Sequence, residues 1–144
     1  MDEKKIAVIR VRGDVNVNKR IKDTLNMLRL YRKNYCVVLP YNESYLGMIK
    51  KVKDYVTYGT LNDDAYNLLV EKRGEEYKER EGDSKGKIKY KKFIIVNNKK
   101  IKPYFRLSPP RKGFGRKGIK KPFSIGGALG DRRENINELV KRML

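Results

Sequence analysis

The spacing of apolar positions changes character along this chain. From Ile6 the apolar residues begin to alternate with basic ones (Val8, Ile9, Arg10, Val11, Arg12), and Gly13 closes the run. That alternation predicts a strand with one buried face. The loop Asp14 to Asn18 offers Asn18 as a helix cap. Ile21, Leu25 and Leu28 then recur at helical spacing, with Lys19, Arg20, Lys22 and Arg29 elsewhere around the cylinder. Tyr35 to Leu39 is an unbroken apolar, β-rich run, which predicts an inner strand ending at Pro40. Asn42 is placed to cap a second helix built on Leu46, Ile49 and Val52. Tyr55 to Tyr58 predicts a third strand, stopped by Gly59. The order is β-α-β-α-β, and it makes residues 1–60 a core domain.

Residues 61–144 follow a different grammar and form an extension. Asn62 or Asp63 caps a helix over 62–73 on Ala65, Leu68 and Leu69, with Gly74 as the residue just past its end. Residues 75–92 are charged low-complexity sequence. Phe93 to Val96 and Ile101 flank Asn97 to Lys100 as a hairpin would. A basic loop over 106–130 is rich in glycine, proline and lysine from Pro109 on, which predicts an extended, irregular path. A terminal helix over 132–143 gathers Ile136, Leu139, Val140 and Met143 on one face.

Charge changes the picture from fold to partner. Lys and Arg number 36 against 17 Asp and Glu, a formal charge of +19 with no histidine. Such a charge opposes compaction and attracts polyanions, nucleic acid before an anionic membrane surface. No apolar run approaches membrane-span length, and the N-terminal MDEKKIAVIRVRG is too short and charged for a signal sequence. A soluble, intracellular protein is expected. The single cysteine, Cys36, lies in the apolar run, where it is a small core hydrophobe rather than a nucleophile. An intrachain disulfide is therefore impossible, which suits a reducing cytosol. Without histidine there is no imidazole base and no Cys/His set for structural zinc. The adjacent pairs Asp63-Asp64 and Glu75-Glu76 suit caps and surfaces. No catalytic residue, metal, cofactor or small-molecule substrate is expected.

Three motifs bear on chemistry. Arg111 to Lys121 (RKGFGRKGIKK) interleaves cations with three glycines and Phe114. Glycine admits close approach of backbone to phosphate, Lys and Arg neutralise it, and Phe114 and Phe123 can stack on an unpaired base. A solvated tail is the bland alternative. Gly113 to Gly118 spells G-x-G-x-x-G, but prolines precede and follow it, so the strand–turn–helix context of a dinucleotide site is missing. Arg132 and Arg133 fall in the predicted first turn of the terminal helix, where the dipole favours acids. Either exposed charges are tolerated there, or they converge on phosphate with the Gly126 to Gly130 turn. The β-α-β-α-β start also resembles acylphosphatases, whose loop spacing Val11, Gly13 and Val15 match; Val17 and Ile21 replace that family's glycine and arginine.

A fuller resemblance covers residues 6–74 and 104–144. Thr24-Leu25, Leu28-Arg29-Leu30, Arg32-Lys33-Asn34, Val37-Val38 and the run Gly47 to Val56 resemble the large-subunit ribosomal protein family numbered thirty in bacteria. Tyr58-Gly59-Thr60, Lys72-Arg73-Gly74, Phe105 to Gly113, Gly126 to Gly130 and Ile136 to Leu139 resemble its longer archaeal and eukaryotic branch, numbered seven in eukaryotes. Glu75 to Pro103 departs from that pattern, being shorter and richer in lysine. The resemblance implies an α+β, ferredoxin-like core: a three-stranded antiparallel sheet with two helices on one face, carrying a helical and extended basic C-terminal extension. It also implies a structural, non-enzymatic role in the cytoplasmic large ribosomal subunit. The partners would be large-subunit rRNA near the central protuberance and other ribosomal proteins, with no membrane. Three surfaces are nominated for RNA: Arg12, Asn16, Asn18, Lys19 and Arg20; Arg29, Arg32 and Lys33; and Arg106, Arg111, Lys112, Arg116, Lys117, Lys120, Lys121, Arg132 and Arg133. The alternative is an RNA- or DNA-binding module or RNA chaperone outside the ribosome, with an acylphosphatase-like enzyme a remote third.

Overall fold

The computed structural model describes residues 5–13, 15, 17–76, 94–96, 99–114 and 116–144. Asn16, most of the charged segment 75–92, Phe93, Asn97 and Asn98 lie outside the described residues. The core elements appear in the predicted order: β1 (Lys5–Arg10), α1 (Lys19–Met27), β2 (Tyr35–Pro40), α2 (Glu43–Lys51) and β3 (Val56–Leu61). Asn18, Asn42 and Asn62 cap the helices that follow them, each side chain accepting a first-turn backbone N–H at 2.8–2.9 Å. The helix α3 spans Asp63–Arg73, and β4 (Ile94–Val96) pairs with β5 (Lys99–Ile101) in the expected hairpin.

β1 pairs antiparallel with both β2 and β3, Ile9 lying opposite Cys36 on one side and Thr57 on the other. The sheet is wider than three strands. β6 (Phe105–Arg106) joins the edge of β2, and β7 (Gly130–Asp131) joins β3 in parallel, giving the order β6-β2-β1-β3-β7. Both added strands come from the extension.

The sheet is buried on both faces. Ile6, Val8, Val37 and Leu39 meet Leu25 of α1 and Ile49 of α2, with Leu28 and Val52 at the ends of those helices. Ala7, Ile9 and Cys36 meet Ala65 and Leu69 of α3, Phe105, and Ile136, Leu139, Val140 and Met143 of α4 (Ile136–Met143). The one-face-out expectation for β1 is therefore corrected: five of its six residues are buried, including Arg10. Arg10 is tolerated inside because Nε donates to the Arg12 carbonyl at 2.9 Å and Nη1 to the Leu30 carbonyl at 2.8 Å. Cys36 is a core hydrophobe as expected, and burial pushes its thiol pKa up to about 12.

Two glycine expectations also change. Gly59 does not stop β3 but sits within it, buried where α4 crosses; a Cβ there would lie 2.2 Å from the Arg133 carbonyl oxygen. Gly74 follows α3 but with φ −65°, not the left-handed cap geometry. Its requirement is space: a Cβ would meet the Val70 carbonyl oxygen at 2.4 Å.

Candidate nucleic-acid interface

One end of the sheet collects several nominated residues, because β1 ends where β2 and β3 begin. Arg12 Nη1 donates to the Asp54 carbonyl at 3.4 Å, and its guanidinium lies 5.0 Å from the Tyr55 ring centroid. The Asn34 N–H donates to the Arg10 carbonyl at 2.7 Å, which brings Arg32 and Lys33 beside the β1 exit. Arg29 lies next to Leu30, whose carbonyl is the one held by Arg10. Arg106 pairs in register with Tyr35 at the same end. Val11, packed on Ala128, Leu129 and Phe114, joins this end to the basic loop.

The predicted irregular path of the basic loop is corrected. A parallel bridge links Pro122 to Leu129. The Lys117 N–H donates to the Gly126 carbonyl, Ala128 to Gly118 and Leu129 to Lys121, all at 3.1–3.2 Å. Gly127 is required by this closure, since a Cβ would lie 2.1 Å from the Lys121 carbonyl oxygen. A 3-10 turn, Phe123–Ile125, tops the loop. The backbone is thus held while Lys112, Arg116, Lys117, Lys120 and Lys121 remain exposed, with no carboxylate partner among the described residues. Arg111 is exposed too, its carbonyl accepting from Arg142 Nη1 at 3.0 Å.

Arg132 differs from its nomination. The terminal helix begins at Ile136, after a 3-10 turn over Arg133–Asn135, so neither arginine lies in its first turn. Arg132 is 3% exposed. Nε donates to Thr57 Oγ1 at 2.8 Å, and Nη2 to the carbonyls of Phe114 at 2.7 Å and Ala128 at 3.1 Å. It braces the basic loop against β3. Burial, then the nearby charge of Arg142, pushes its pKa down to about 10. Arg133 remains exposed with φ 51°, its N–H donating to Asp131 Oδ1 at 2.8 Å.

Arg106 is already partnered: its guanidinium clasps Glu75 Oε1, while Lys102 reaches Glu75 Oε2 at 3.2 Å. Burial acts to raise the Glu75 carboxyl, yet the hydrogen bonds from Arg106 and Lys102 outweigh it and hold the pKa low. Asn18 spends its side-chain oxygen on the Arg20 N–H, leaving Lys19 and Arg20 exposed.

The dipole anomaly predicted for the last helix belongs instead to α1. That helix has no acid in its first turn and no base in its last. Acids open α2, α3 and α4, and bases close them. Lys19 and Arg20 therefore reinforce a positive helix end, a signal legible in the sequence once the helix boundary is known. An aromatic group also went unnominated. Tyr104 stacks on Tyr35 at 5.3 Å and meets Tyr31 edge-on at 5.7 Å, beside Arg106.

Residues 6–56 match the family model described as "Ribosomal protein L30p/L7e". Among curated proteins, large ribosomal subunit protein uL30 of Methanococcus maripaludis is 48% identical over 151 aligned positions, covering 96% of this chain and 98% of the relative. The uL30 proteins of Nanoarchaeum equitans and Methanopyrus kandleri are 44% and 42% identical, covering 96% and 93% of this chain and 97% and 100% of their own lengths.

Proposed function

As this chain belongs to the ribosomal protein L30p/L7e family, we infer that it is a structural constituent of the large ribosomal subunit that holds large-subunit rRNA. Its role is to bind and position rather than to catalyse. The finer reading is that it holds rRNA near the central protuberance through Lys/Arg–phosphate contacts, beside other large-subunit proteins.

One observation supports the phosphate reading above the others. The basic loop is hydrogen-bonded into a fixed shape while Lys112, Arg116, Lys117, Lys120 and Lys121 stay exposed and uncompensated. Fixing like charges together raises the energy of the free protein, and a polyphosphate relieves it. A merely solvated tail gains nothing from such closure. Arg12, Arg29, Arg32, Lys33, Lys19 and Arg20 extend the surface, with Arg111 and Arg133 at its margin. Asn16 and Asn18 remain nominated as loop donors. Arg106 contributes only if RNA phosphate displaces Glu75. Arg132 acts from inside, by holding the loop.

The test is co-sedimentation with large subunits through moderate salt, followed by mapping of rRNA crosslinks from residues 111–121. Retention with crosslinks on one rRNA neighbourhood supports the reading. Recovery mainly in the free soluble fraction points to an RNA or DNA binder outside the ribosome.

A further inference from the structure

Between the basic loop and α4 lies a recess of about 360 Å³, at the small end of the roughly 300–1,000 Å³ range of sites that take organic ligands. Lys112, Arg116, Arg132 and Arg142 line it with the rings of Phe114 and Phe123. Arg142 holds the loop from below, Nη1 donating to the carbonyls of Arg111 at 3.0 Å and Gly113 at 2.8 Å. Its Nε is buried and has no hydrogen-bond partner. The Glu138 oxygen facing it is 3.8 Å away, on a side chain 75% exposed.

Two features therefore stand unexplained by the free protein. A charged donor is buried with a long ion pair to Glu138 but no hydrogen bond, a costly arrangement. Two guanidiniums also converge on one recess, and Arg142 is close enough to add to the depression of the Arg132 pKa. An anion in the recess offsets the repulsion between the two guanidiniums. The aromatic lining narrows the choice of anion. Arg132 already covers Phe123, its guanidinium 4.7 Å from the ring centroid, and an aromatic ring is a platform on which any base can stack.

We propose that this recess seats one unstacked nucleotide of the bound RNA, its phosphate among Lys112, Arg116 and Arg142 and its base against Phe123. The inference rests on the rRNA-binding reading above. Asn135 and Glu138, also on the lining, supply a donor–acceptor amide and an acceptor carboxylate able to reach a base edge. Stacking on an aromatic ring is worth on the order of ten- to a hundred-fold in affinity, so a nucleotide should outbind its phosphate alone by about that ratio.

The probes are adenosine 5′-monophosphate, adenosine and inorganic phosphate, titrated into the full chain while arginine Nε–H and phenylalanine ring resonances are followed. The expected result is a saturable shift of Arg142 Nε–H and the Phe123 ring with the nucleotide, at least tenfold tighter than with either component. Phe123→Leu should lower nucleotide affinity to that of inorganic phosphate, and Arg142→Lys should weaken both. Equal affinity for nucleotide and phosphate, or unsaturable shifts spread over all basic residues, overturns the proposal. Co-sedimentation of the unaltered chain separates the two levels: a retained subunit complex without a nucleotide site refutes only the recess, whereas loss of the complex refutes the functional reading.

Discussion

Arg29 occupies a position that helices usually give to glycine. The Leu30 N–H reaches back to the Leu25 carbonyl at 2.9 Å and the Arg29 N–H to that of Asn26 at 3.0 Å, while φ of Arg29 is 65°. That is a Schellman ending with arginine in the left-handed residue. Among the described residues, the non-glycine residues with positive φ are Arg29, Asn34, Lys112 and Arg133. Asparagine tolerates that region; three cations do so at a cost, and all three are nominated for RNA. Arg29→Gly is therefore expected to stabilise the free protein by about 0.5–1 kcal/mol, the relief of strain less the entropy of glycine. It should weaken binding to an rRNA fragment. Urea melts and a titration check both, and unchanged affinity removes Arg29 from the interface. For Arg132 the sign is opposite. Thr57→Val leaves Nε of a buried guanidinium unsatisfied and should cost about 1–3 kcal/mol. Arg132→Ala should destabilise, while Arg133→Ala should leave stability nearly unchanged. Equal stabilities of the two alanine variants would contradict the brace.

At the scale of elements, helix ends and crossings decide behaviour. The first turn of α1 carries Lys19 and Arg20 and no acid, so Arg20→Glu should stabilise the helix by roughly 0.3–1 kcal/mol. The same change should reduce rRNA affinity; a gain in stability without that loss would mean the end of α1 faces solvent. The crossing of α4 over β3 is governed by Gly59, and Gly59→Ala forces the helix away. A cost of about 1–3 kcal/mol is expected from such overpacking, read from thermal or urea melts. An unchanged melting temperature would show that α4 adjusts freely.

The whole molecule is two helical layers around a shared sheet, which bears on the proposed division at residue 60. A fragment of residues 1–60 contains β1, β2, α1 and α2 and most of β3, but it leaves Ala7, Ile9 and Cys36 without α3, α4 and Phe105 above them. We predict a cooperative but low-temperature transition for that fragment, far below that of the full chain, since domains of this size bury little surface. Absence of any cooperative transition, at every salt concentration, refutes the boundary. The charge of +19 sets a second expectation. With about six to ten phosphate contacts, log affinity for an rRNA fragment should fall with log salt at a slope of roughly −4 to −9. A slope near −1 with affinity retained would point to stacking or protein neighbours.

Periodicity was enough to order β1, α1, β2, α2, β3 and α3, because apolar spacing and asparagine caps act within a few residues of chain. The motifs of the core carried the family, those of the extension its longer branch, and the net charge the polyanionic partner. What covered the second face of the sheet was decided only in three dimensions. Arg10 and Arg12 read alike as exposed members of an alternation, yet Arg10 is buried on the face it shares with Ile6 and Val8, held by the Leu30 and Arg12 carbonyls, while Arg12 stays half-buried. The opposite face is covered by α3 and α4, which return from far along the chain. The same holds for Arg132. Its charge marks it for phosphate in any local reading, but Thr57, Phe114 and Ala128, up to 75 residues away, turn it inward. Whether a cation faces solvent or the interior depends on which carbonyls reach it. Composition counts charges; only tertiary contacts determine which of them remain available to RNA.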